Sequence, residues 1–363
     1  MTHLIRINLR FTYFKMLKSQ PLPIVILNWN NYSDTKECIK SILKNTGDYF
    51  RIYLLDNNSD EEEINSLKNA YANHPQIKLS LNKTNLGFAK AHNLILEQLF
   101  EQDYQYVFLL NNDTIITAES LSFINQYLIS NETGMLSCKM INYWNHDLMD
   151  NAGHKMLSSG EIIPIGHGDS VQNCNTVNEN IGACAGAAIY STKMLKDVGL
   201  FDEYFETGYE DAELGLRAFI AGYKCLYEPN AIIYHKMGQS IKKIFNYQYT
   251  LKTQTNIFYT YLKLVHWQVM IINFIPWILR FFIITFINLI FWRPKYLKVQ
   301  YHAIIIILFR DWKKVMKARK ESKKLRRIPW YSLLKKQEFF LKRDILNFYK
   351  FIIKGEKSYF EKY

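Results

Sequence analysis

Two acidic sites in the sequence could carry chemistry. Asp113 closes the cluster Asn111-Asn112-Asp113, and such a carboxylate can bind Mg²⁺ or Mn²⁺, ions of which Mg²⁺ in particular keeps several waters as further ligands. Glu210 and Asp211 form the second site. One carboxylate of this pair could remove a proton from a hydroxyl, because its neighbour raises its pKa towards the useful range. Both acids would also suit a helix N-terminus, where they favour the helix dipole.

The elements that must position these residues alternate between strands and helices. Apolar runs predict strands over residues 23–28, 52–56, 77–81 and 106–110, with helices over 34–43, 60–71 and 88–100. Ser33 is expected to cap the first helix. This alternation predicts right-handed βαβ units, and therefore an α/β fold with a mostly parallel sheet that helices cover on both faces.

The second half of this region is less regular. Residues 142–180 are rich in Gly, Asn and His, which predicts a loop-rich insertion with a hairpin. A helix is expected over residues 209–221, ended by Gly222, and short strands are expected over 224–227 and 231–234. Glu213 and Arg217 are four residues apart, so we expect an ion pair on the helix surface.

Polar clusters follow each of the first four predicted strands. They are Asn28-Trp29-Asn30, Asp56-Asn57-Asn58-Ser59, Asn85-Leu86-Gly87-Phe88 and Asn111-Asn112-Asp113. Any one of them could be a plain turn, because Asn, Asp and Gly dominate turns. Ligands of open parallel sheets bind beyond the carboxyl ends of the strands, so four clusters at one edge indicate a binding site.

The order and spacing of these segments resemble an inverting family-2 glycosyltransferase of the GT-A fold, a group that includes bacterial rhamnosyltransferases. The resemblance covers residues 21–240. The matching segments are Pro23–Asn30, Leu55–Asp60, Asn85–Asn93, Leu109–Thr114, Gly199–Phe205, Gly208–Arg217 and Tyr234–Ser240. It implies a Rossmann-like, nucleotide-sugar-binding domain. It also implies transfer of a sugar from a nucleotide-diphosphate donor to an acceptor hydroxyl, with inversion.

The resemblance also implies roles for single residues. Asp56 would contact the nucleoside base, with a plain Asx-turn as the alternative. The remaining donor-binding candidates are polar or small residues at the same sheet edge: Asn28, Asn58, Asn85, Gly87, Asn111 and Asn112. Asp211 would be the catalytic base, with Glu210 in support.

The metal site departs from the family pattern. The family motif is often D-x-D, and here Asn111 replaces its first Asp, which leaves Asp113 to bind Mg²⁺ or Mn²⁺. His235 would complete the site as in some relatives, although a lone His is more often structural. Gly182-Ala-Cys-Ala-Gly186 would let the backbone approach the donor sugar or acceptor. Trp29 and Trp144 would stack on a base or sugar, or pack in the core.

Charge divides the chain into two parts. Residues 1–235 hold 18 Lys+Arg and 27 Asp+Glu, whereas residues 236–363 hold 27 Lys+Arg and 6 Asp+Glu. We therefore expect a catalytic domain over residues 21–240, after an N-terminal extension at 1–20 in which Met16 is an alternative start. A basic, apolar helical region follows over residues 241–363.

The basic region is expected to attach to a membrane. Residues 267–292 are almost wholly apolar, but Arg280 interrupts them, so in-plane helices on the anionic cytoplasmic leaflet are favoured over a transmembrane span. A soluble helical cap or a homodimer interface is the alternative. Five cysteines without a C-x-x-C pair indicate a reducing compartment rather than a disulfide framework or zinc site.

Two other functions compete with the transferase. The basic region suggests nucleic-acid binding, but the acidic first part and the apolar runs argue against it. A non-catalytic nucleotide-sugar binder remains open because Asn111 replaces an Asp. By family frequency the first expectation is rhamnose from a dTDP donor. The expected acceptor is a cell-envelope polysaccharide or a lipid-linked oligosaccharide.

Overall fold

The structure is a computed structural model that describes residues 20–44, 50–130, 133–206, 208–237 and 246–355. It divides into two compact units. Unit 1 contains the chain up to Gly153, Pro164–Ala218 and Tyr223–Met237, and unit 2 contains His154–Ile163, Phe219–Gly222 and the chain from Gly238 onwards. The N-terminal extension apart from Gln20 and the segment Gly238-Gln239-Ser240 lie outside the described residues. So does Asn45-Thr46-Gly47, the polar stretch at which the sequence predicts the end of the first helix.

Unit 1 is built around a ten-stranded mixed sheet. Its strands are β1 (Leu22–Asn28), β2 (Phe50–Asp56), β3 (Ile77–Leu81), β4 (Tyr106–Leu110), β5 (Thr114–Ile116), β6 (Met135–Asn142), β7 (Met149–Asn151), β10 (Glu179–Asn180), β11 (Ala187–Ser191) and β12 (Cys225–His235). The main path runs β10-β12-β6-β11-β4-β1-β2-β3. Neighbours among β1 to β4 are parallel, and β11 runs antiparallel to both β4 and β6.

The helices of unit 1 follow the strands in the predicted alternation. They are α1 (Tyr32–Leu43), α2 (Glu61–Tyr71), α3 (Gly87–Phe100), α4 (Ala118–Ser130), α5 (Thr192–Val198) and α6 (Glu210–Ile220). The core is made of the apolar strand residues together with helix side chains such as Ile39, Ile42 and Leu67. The predicted α/β class with a mixed sheet is therefore confirmed. The expectation that the sheet is mostly parallel is wrong, because four of its described strand pairings are parallel and five are antiparallel.

Strand register places the polar clusters at one edge of the sheet. Asn28 lies directly opposite Asp56, and Asp56 lies opposite Leu81, so β1, β2 and β3 end side by side. Ala187 at the start of β11 lies opposite Leu110 at the end of β4. The residues after β4 and before β11 therefore share that edge.

Three local expectations were wrong. Helix α1 begins at Tyr32, so its N-cap position is Asn31 rather than Ser33, and the Tyr32 amide donates to the Glu63 carboxylate at 2.8 Å. The two short strands expected near the C-terminal side are one strand, β12, whose pairing with β6 shifts between Glu228 and Ile232. The Glu213–Arg217 pair forms but is buried rather than at the helix surface, and Arg217 also donates to the carbonyls of Val198, which ends α5, and of Leu200.

Unit 2 is mainly helical. Its elements are the strands β8 (His154–Leu157), β9 (Ile162–Pro164) and β13 (Gln337–Glu338) and the helices α7 (Tyr247–Leu264), α8 (Trp267–Ile272), α9 (Phe274–Ile290), α10 (Pro294–Ile305), α11 (Trp312–Ser322), α12 (Tyr331–Lys335) and α13 (Phe340–Asn347). The three strands form a small sheet in the order β13-β8-β9. In the part of the chain that the structure describes, no helix combines the length and the apolar character needed to cross a bilayer.

Candidate active site

Asp56 anchors a buried polar network at the ends of β1 and β2. Its carboxylate accepts hydrogen bonds from Asn28 Nδ2 at 2.8 Å, from the Ser59 hydroxyl at 2.5 Å and from the Ser59 amide at 2.9 Å. Asn28 and Asp56 are fully buried. The amide that Asp56 binds is three residues on, one residue further than in an Asx-turn, so its carboxylate holds the whole turn from Asp56 to Ser59. Asn58 is exposed and adopts φ +64°, which lets the chain turn between Asp56 and Ser59.

Asn57 connects this turn to the loop before α3. Its amide nitrogen donates to Asn85 Oδ1 at 2.9 Å, and its amide oxygen accepts from the Leu86 amide at 3.0 Å. Gly87 adopts φ +73°, and a Cβ there would lie 2.6 Å from the Glu206 carbonyl oxygen. A side chain at Gly87 would therefore push the loop away from the segment that leads to Glu210.

The cluster after β4 divides into a buried and an open part. Asn112 points into the buried network, where its amide nitrogen donates to the Thr35 hydroxyl at 2.9 Å. Asn111 is half-buried, and its backbone amide donates to the Gly186 carbonyl at 2.9 Å. Among the predicted donor-binding residues, Asn28 and Asn112 are thus held in the interior, whereas Asn58, Asn85 and Asn111 keep exposed surface.

Asp113, His235 and Asp150 form a line of three groups. His235 Nε2 lies 3.1 Å from Asp113 Oδ1, and His235 Nδ1 lies 2.7 Å from Asp150 Oδ2. His167 Nδ1 contacts the Asp150 backbone carbonyl at 3.0 Å and its carboxylate at 3.4 Å. All three residues of the line are mostly buried. The structure therefore brings the predicted pair Asp113 and His235 together and adds Asp150 behind the imidazole.

This arrangement requires a positive charge between Asp113 and His235. With the Nδ1 proton directed at Asp150, a neutral imidazole would present the Nε2 lone pair to the Asp113 carboxylate. Two acceptors at 3.1 Å repel each other, so either a proton or a metal cation must lie there. Neighbouring octahedral ligands about 2.1 Å from Mg²⁺ are about 3.0 Å apart, and a carboxylate behind a ligating histidine is the usual support. The residues present fit a divalent metal.

The same electrostatics set the protonation of the line without a metal. Burial alone would lower the pKa of His235, but the Asp113 charge and the hydrogen bonds to both carboxylates raise it to about 10. Burial alone would raise the pKa of Asp150, but the hydrogen bonds from His167 and His235 hold it well below its usual range. His235 is therefore a cation in the metal-free protein, and a bound metal would replace its Nε2 proton.

Glu210 and Asp211 open helix α6 and have different surroundings. Burial, and then the charge of Asp211, raise the pKa of the Glu210 carboxyl to about 8. Asp211 is only half-buried, and its Oδ2 accepts a hydrogen bond from the Ala185 amide at 3.0 Å. Asp211 is thus the member of the pair that is held in place and reachable by a ligand.

The Gly182–Gly186 segment links the two acidic sites. Its Gly186 carbonyl accepts from the Asn111 amide, and its Ala185 amide donates to Asp211. Helix α6 approaches this segment closely, since a Cβ on Gly215 would lie 2.6 Å from the Gly182 Cα. Because its residues are small, the Gly182–Gly186 segment contacts both the cluster after β4 and helix α6.

Two tryptophans and one lysine lie nearby. The Trp144 indole donates to the Lys236 carbonyl at 3.0 Å, and its ring is 52 % exposed, so it does not pack in the core. Trp29 is half-buried. Lys236 is buried and bonded to Asp34 and Glu37, and its amide donates to the Asp113 carbonyl at 2.9 Å. Lys236 therefore ties the end of β12 to α1 and to the metal-site candidate.

Sequence reasoning missed Asp150, His167 and Asn57. Asp150 and His167 lie in the irregular insertion, where no pattern distinguishes them from other polar residues. A signal for Asp150 existed in chemistry rather than in spacing, because a ligating histidine needs a partner for its second nitrogen. Asn57 was hidden by its neighbour Asn58, since either amide could have made the turn.

The chain matches one known protein-family model. Residues 20–248 match the model described as "Glycosyltransferase like family 2". A comparison with curated protein sequences finds no match. Among solved structures, GalNAc-T7 with UDP, GalNAc and Mn²⁺ is similar at a TM-score of 0.52 and 14 % identity, over 66 % of this chain and 47 % of GalNAc-T7. The chain thus spans about half the length of GalNAc-T7, with which it shares the fold.

Two further structures are similar at lower scores. TarS from S. aureus in complex with UDP-GlcNAc matches at a TM-score of 0.48 and 16 % identity, over 67 % of this chain and 66 % of TarS. The mannosyltransferase PcManGT from Pyrobaculum calidifontis, in complex with GDP-Man and Mn²⁺, matches at 0.46 and 12 %, over 95 % of this chain and 89 % of PcManGT. The family match covers more than half of the chain, so the protein belongs to glycosyltransferase family 2.

Proposed function

We propose that the protein is a metal-dependent glycosyltransferase that moves a sugar from a nucleotide-diphosphate donor to an acceptor hydroxyl with inversion. The observation that carries this proposal is the Asp113–His235–Asp150 line beside a linked, ligand-accessible Asp211. Inverting transfer in a single displacement needs a cation beside the departing diphosphate and a separate carboxylate that removes the proton of the acceptor hydroxyl.

Asp113 and His235 would hold the metal. Asp150 would fix the imidazole so that Nε2 faces the ion, and Lys236 would hold the backbone beside both ligands. When bound, Mn²⁺ or Mg²⁺ supplies the positive charge that neutralises the departing nucleoside diphosphate. GalNAc-T7, which shares the fold, was solved with UDP and Mn²⁺. That supports Mn²⁺ as the first ion to test.

Asp211 would act as the general base. The Ala185 amide donates to its Oδ2 and the Ala212 amide donates to its Oδ1 at 2.7 Å, and these two hydrogen bonds orient the carboxylate. In this position Asp211 would accept the proton of an acceptor hydroxyl as the hydroxyl oxygen attacks the anomeric carbon. Glu210 would support it as a buried neighbour that is mostly protonated near neutral pH, since its pKa is raised to about 8. This leaves one negative charge rather than two at the start of α6.

The base-binding role of Asp56 is part of the proposal. Asp56 Oδ1 accepts two hydrogen bonds and Oδ2 accepts one, so Oδ2 has a lone pair left for the N–H of a uracil or thymine. A shift of the turn from Asp56 to Ser59 would be needed to reach it, because Asp56 is fully buried. Rhamnose from dTDP remains our first expectation for the sugar, and a cell-envelope polysaccharide or a lipid-linked oligosaccharide for the acceptor.

A non-catalytic nucleotide-sugar binder is the second candidate, because Asn111 stands where the family motif has an acid. Release of nucleoside diphosphate separates the two, and water can serve as the acceptor. The donor would be chosen by a thermal-shift screen of nucleotide-sugars with Mn²⁺, since a ligand of the native state raises the melting temperature. Turnover of that donor by the full chain is the expected result.

The Asp211→Asn variant tests the assigned base. We expect donor affinity to stay within a few-fold and turnover to fall by about 10²–10⁴, the usual effect of losing a general base. Glu210→Gln is the matched control and should do less harm. Normal turnover in Asp211→Asn, or a product with retained anomeric configuration, would contradict the mechanism.

A further inference from the structure

Helix α9 in unit 2 has its polar residues inside and its apolar residues outside. Asn273 before the helix and Asn288 within it are buried, and Arg280 is largely buried. The exposed residues of the helix are all apolar: Phe274, Ile275, Leu279, Phe282, Phe286, Leu289 and Ile290. This is the reverse of a helix that faces water, and an exposed apolar face of this kind marks an interaction surface.

The one charge of α9 does not weaken this face. Arg280 donates to Asp344 and to Glu161, each at 2.6 Å, and Arg343 donates to the same two carboxylates. Two arginines and two acids thus form a neutral network within unit 2. The Arg280 side chain, which interrupts the apolar sequence, is therefore held within unit 2 and leaves the exposed face apolar.

Two exposed tryptophans flank the apolar face in the sequence. Trp267 lies at the start of α8 and Trp292 just after α9, and these indoles are 59 % and 83 % exposed. Tryptophan favours the boundary between hydrocarbon and water, because its ring is apolar and its N–H is polar. The spacing of the exposed residues 275, 279, 282, 286 and 289 follows the period of a helix, so they form one stripe along α9.

A second exposed surface adds positive charge. Trp312 and Met316 on α11 are exposed, and Lys313, Lys317 and Lys320 are exposed on the same helix. Between residues 246 and 355 the sequence has 22 Lys+Arg and only 4 Asp+Glu. Such a charge repels the same surface of a second copy of the chain and attracts an anionic lipid surface.

We propose that unit 2 docks on an anionic membrane leaflet, with the exposed stripe of α9 inserted among the lipids and the lysines of α11 on the headgroups. Insertion removes the stripe from water, and the headgroups balance the lysines. This surface goes beyond sugar transfer, and it would bring the enzyme to acceptors that are carried on lipids.

Flotation of the full chain with vesicles tests the proposal. One set of vesicles is phosphatidylcholine alone, and the other is phosphatidylcholine and phosphatidylglycerol in equal parts. We expect the wild type to float with the second set and to stay behind with the first. Phe282→Asp with Phe286→Asp should lower binding to anionic vesicles on the order of 10-fold or more.

A matched control uses exposed apolar residues of unit 1. Leu94→Asp with Phe123→Asp places the same charges on the surface of α3 and α4, and should leave flotation unchanged. Donor binding in solution should be equal in all variants, which separates this test from the proposed transferase. Because Phe282 and Phe286 are exposed, their replacement is not expected to disturb folding; the melting temperature checks this.

Three outcomes would overturn the docking surface. Full flotation of the Phe282→Asp, Phe286→Asp variant would show that the stripe does not insert. Equal binding of the wild type to both vesicle sets would show that docking does not need negatively charged lipids. A wild-type dimer in light scattering that becomes a monomer in the variant, without loss of flotation, would make the stripe a dimer interface.

Discussion

His235 lies between two carboxylates, and each contact assigns a different role to its ring. The Asp150 carboxylate accepts a hydrogen bond from Nδ1 at 2.7 Å, and Nε2 is directed at Asp113. In the metal-free protein this leaves an imidazolium, and with a metal it leaves a neutral ligand whose orientation is already fixed. In the proposed metal site the histidine and its supporting acid would provide a second ligand, which would offset the replacement of an acid by Asn111.

Asp150→Asn tests this supporting role. The variant keeps the shape of the side chain but loses the charge that favours a metal-bound imidazole. We expect Mn²⁺ affinity to fall by about 10–100-fold, measured from the free-ion signal in electron paramagnetic resonance. Asp147→Asn, an exposed acid of the same segment, is the control and should bind as the wild type does. Unchanged affinity in Asp150→Asn would place Asp150 outside the metal site.

Glu210 makes stability depend on pH. Its pKa rises from an ordinary 4.5 to about 8 in the folded protein. Between these values the unfolded chain is ionised while the folded chain keeps the proton, so the contribution of Glu210 to the free energy of unfolding falls as pH rises. Glu210→Gln should remove this loss. The variant should gain on the order of 1 kcal/mol or more relative to wild type between pH 5 and pH 9.

Thermal unfolding in the presence of a chelator measures that gain across the pH range. A melting-temperature difference between Glu210→Gln and the wild type that stays constant from pH 5 to pH 9 would show that Glu210 is ionised in the folded protein. The support proposed for Asp211 would then need another explanation.

The Gly182–Gly186 segment and helix α6 depend on each other for position. The segment holds Asn111 through Gly186 and Asp211 through Ala185, and Gly215 lets the helix come close. Glu213 and Arg217 fasten the same helix from inside, through the carbonyls of Val198 and Leu200. The relative placement of the two acidic sites is thus a property of packing between these elements.

Gly215→Ala tests the close approach. Helix propensity alone would stabilise the variant by about 1 kcal/mol. The clash with the Gly182 Cα at 2.6 Å should instead destabilise it by about 1–3 kcal/mol and lower turnover, because α6 carries Asp211. Denaturant unfolding and donor turnover measure the two effects. A variant that is more stable than the wild type would contradict the packing described.

The elements that sequence predicts well are those with local signals. Strands β1 to β4 begin and end within two residues of expectation, because each is an apolar run closed by polar residues. Gly222 ends α6 as expected, with φ +89°. The short strands β7 and β10 have only three and two residues, so no periodicity predicts them, and β10 pairs with the distant strand β12.

The candidate site follows the same division. Asp113, His235 and the Glu210–Asp211 pair are identified by their motifs, whereas Asp150 is brought to His235 only by pairing of β7 with β6. The burial of Arg217 was also beyond local reasoning, since a spacing of four residues suits a surface pair equally well. The motifs identify single residues, but they do not predict which residues tertiary packing brings into contact.

Across the whole chain, the proposed sugar transfer and the proposed membrane docking belong to parts of opposite charge. The acidic first part contains the site that would hold a metal and a donor, and the basic second part contains the exposed stripe of α9. Each task can be measured without the other, because donor binding takes place in solution and membrane binding needs only vesicles. The metal-dependent site is the claim on which the proposed transferase depends.

Calorimetric titration of the full chain with the selected nucleotide-sugar tests that claim most directly. It compares Mn²⁺ with a chelator, in the wild type and in Asp113→Ala. We predict that Mn²⁺ tightens donor binding by the wild type on the order of 10-fold or more, and that Asp113→Ala loses this gain while its affinity in chelator is unchanged. Equal donor affinity of the wild type in Mn²⁺ and in chelator would contradict the account, as would a gain that survives in Asp113→Ala.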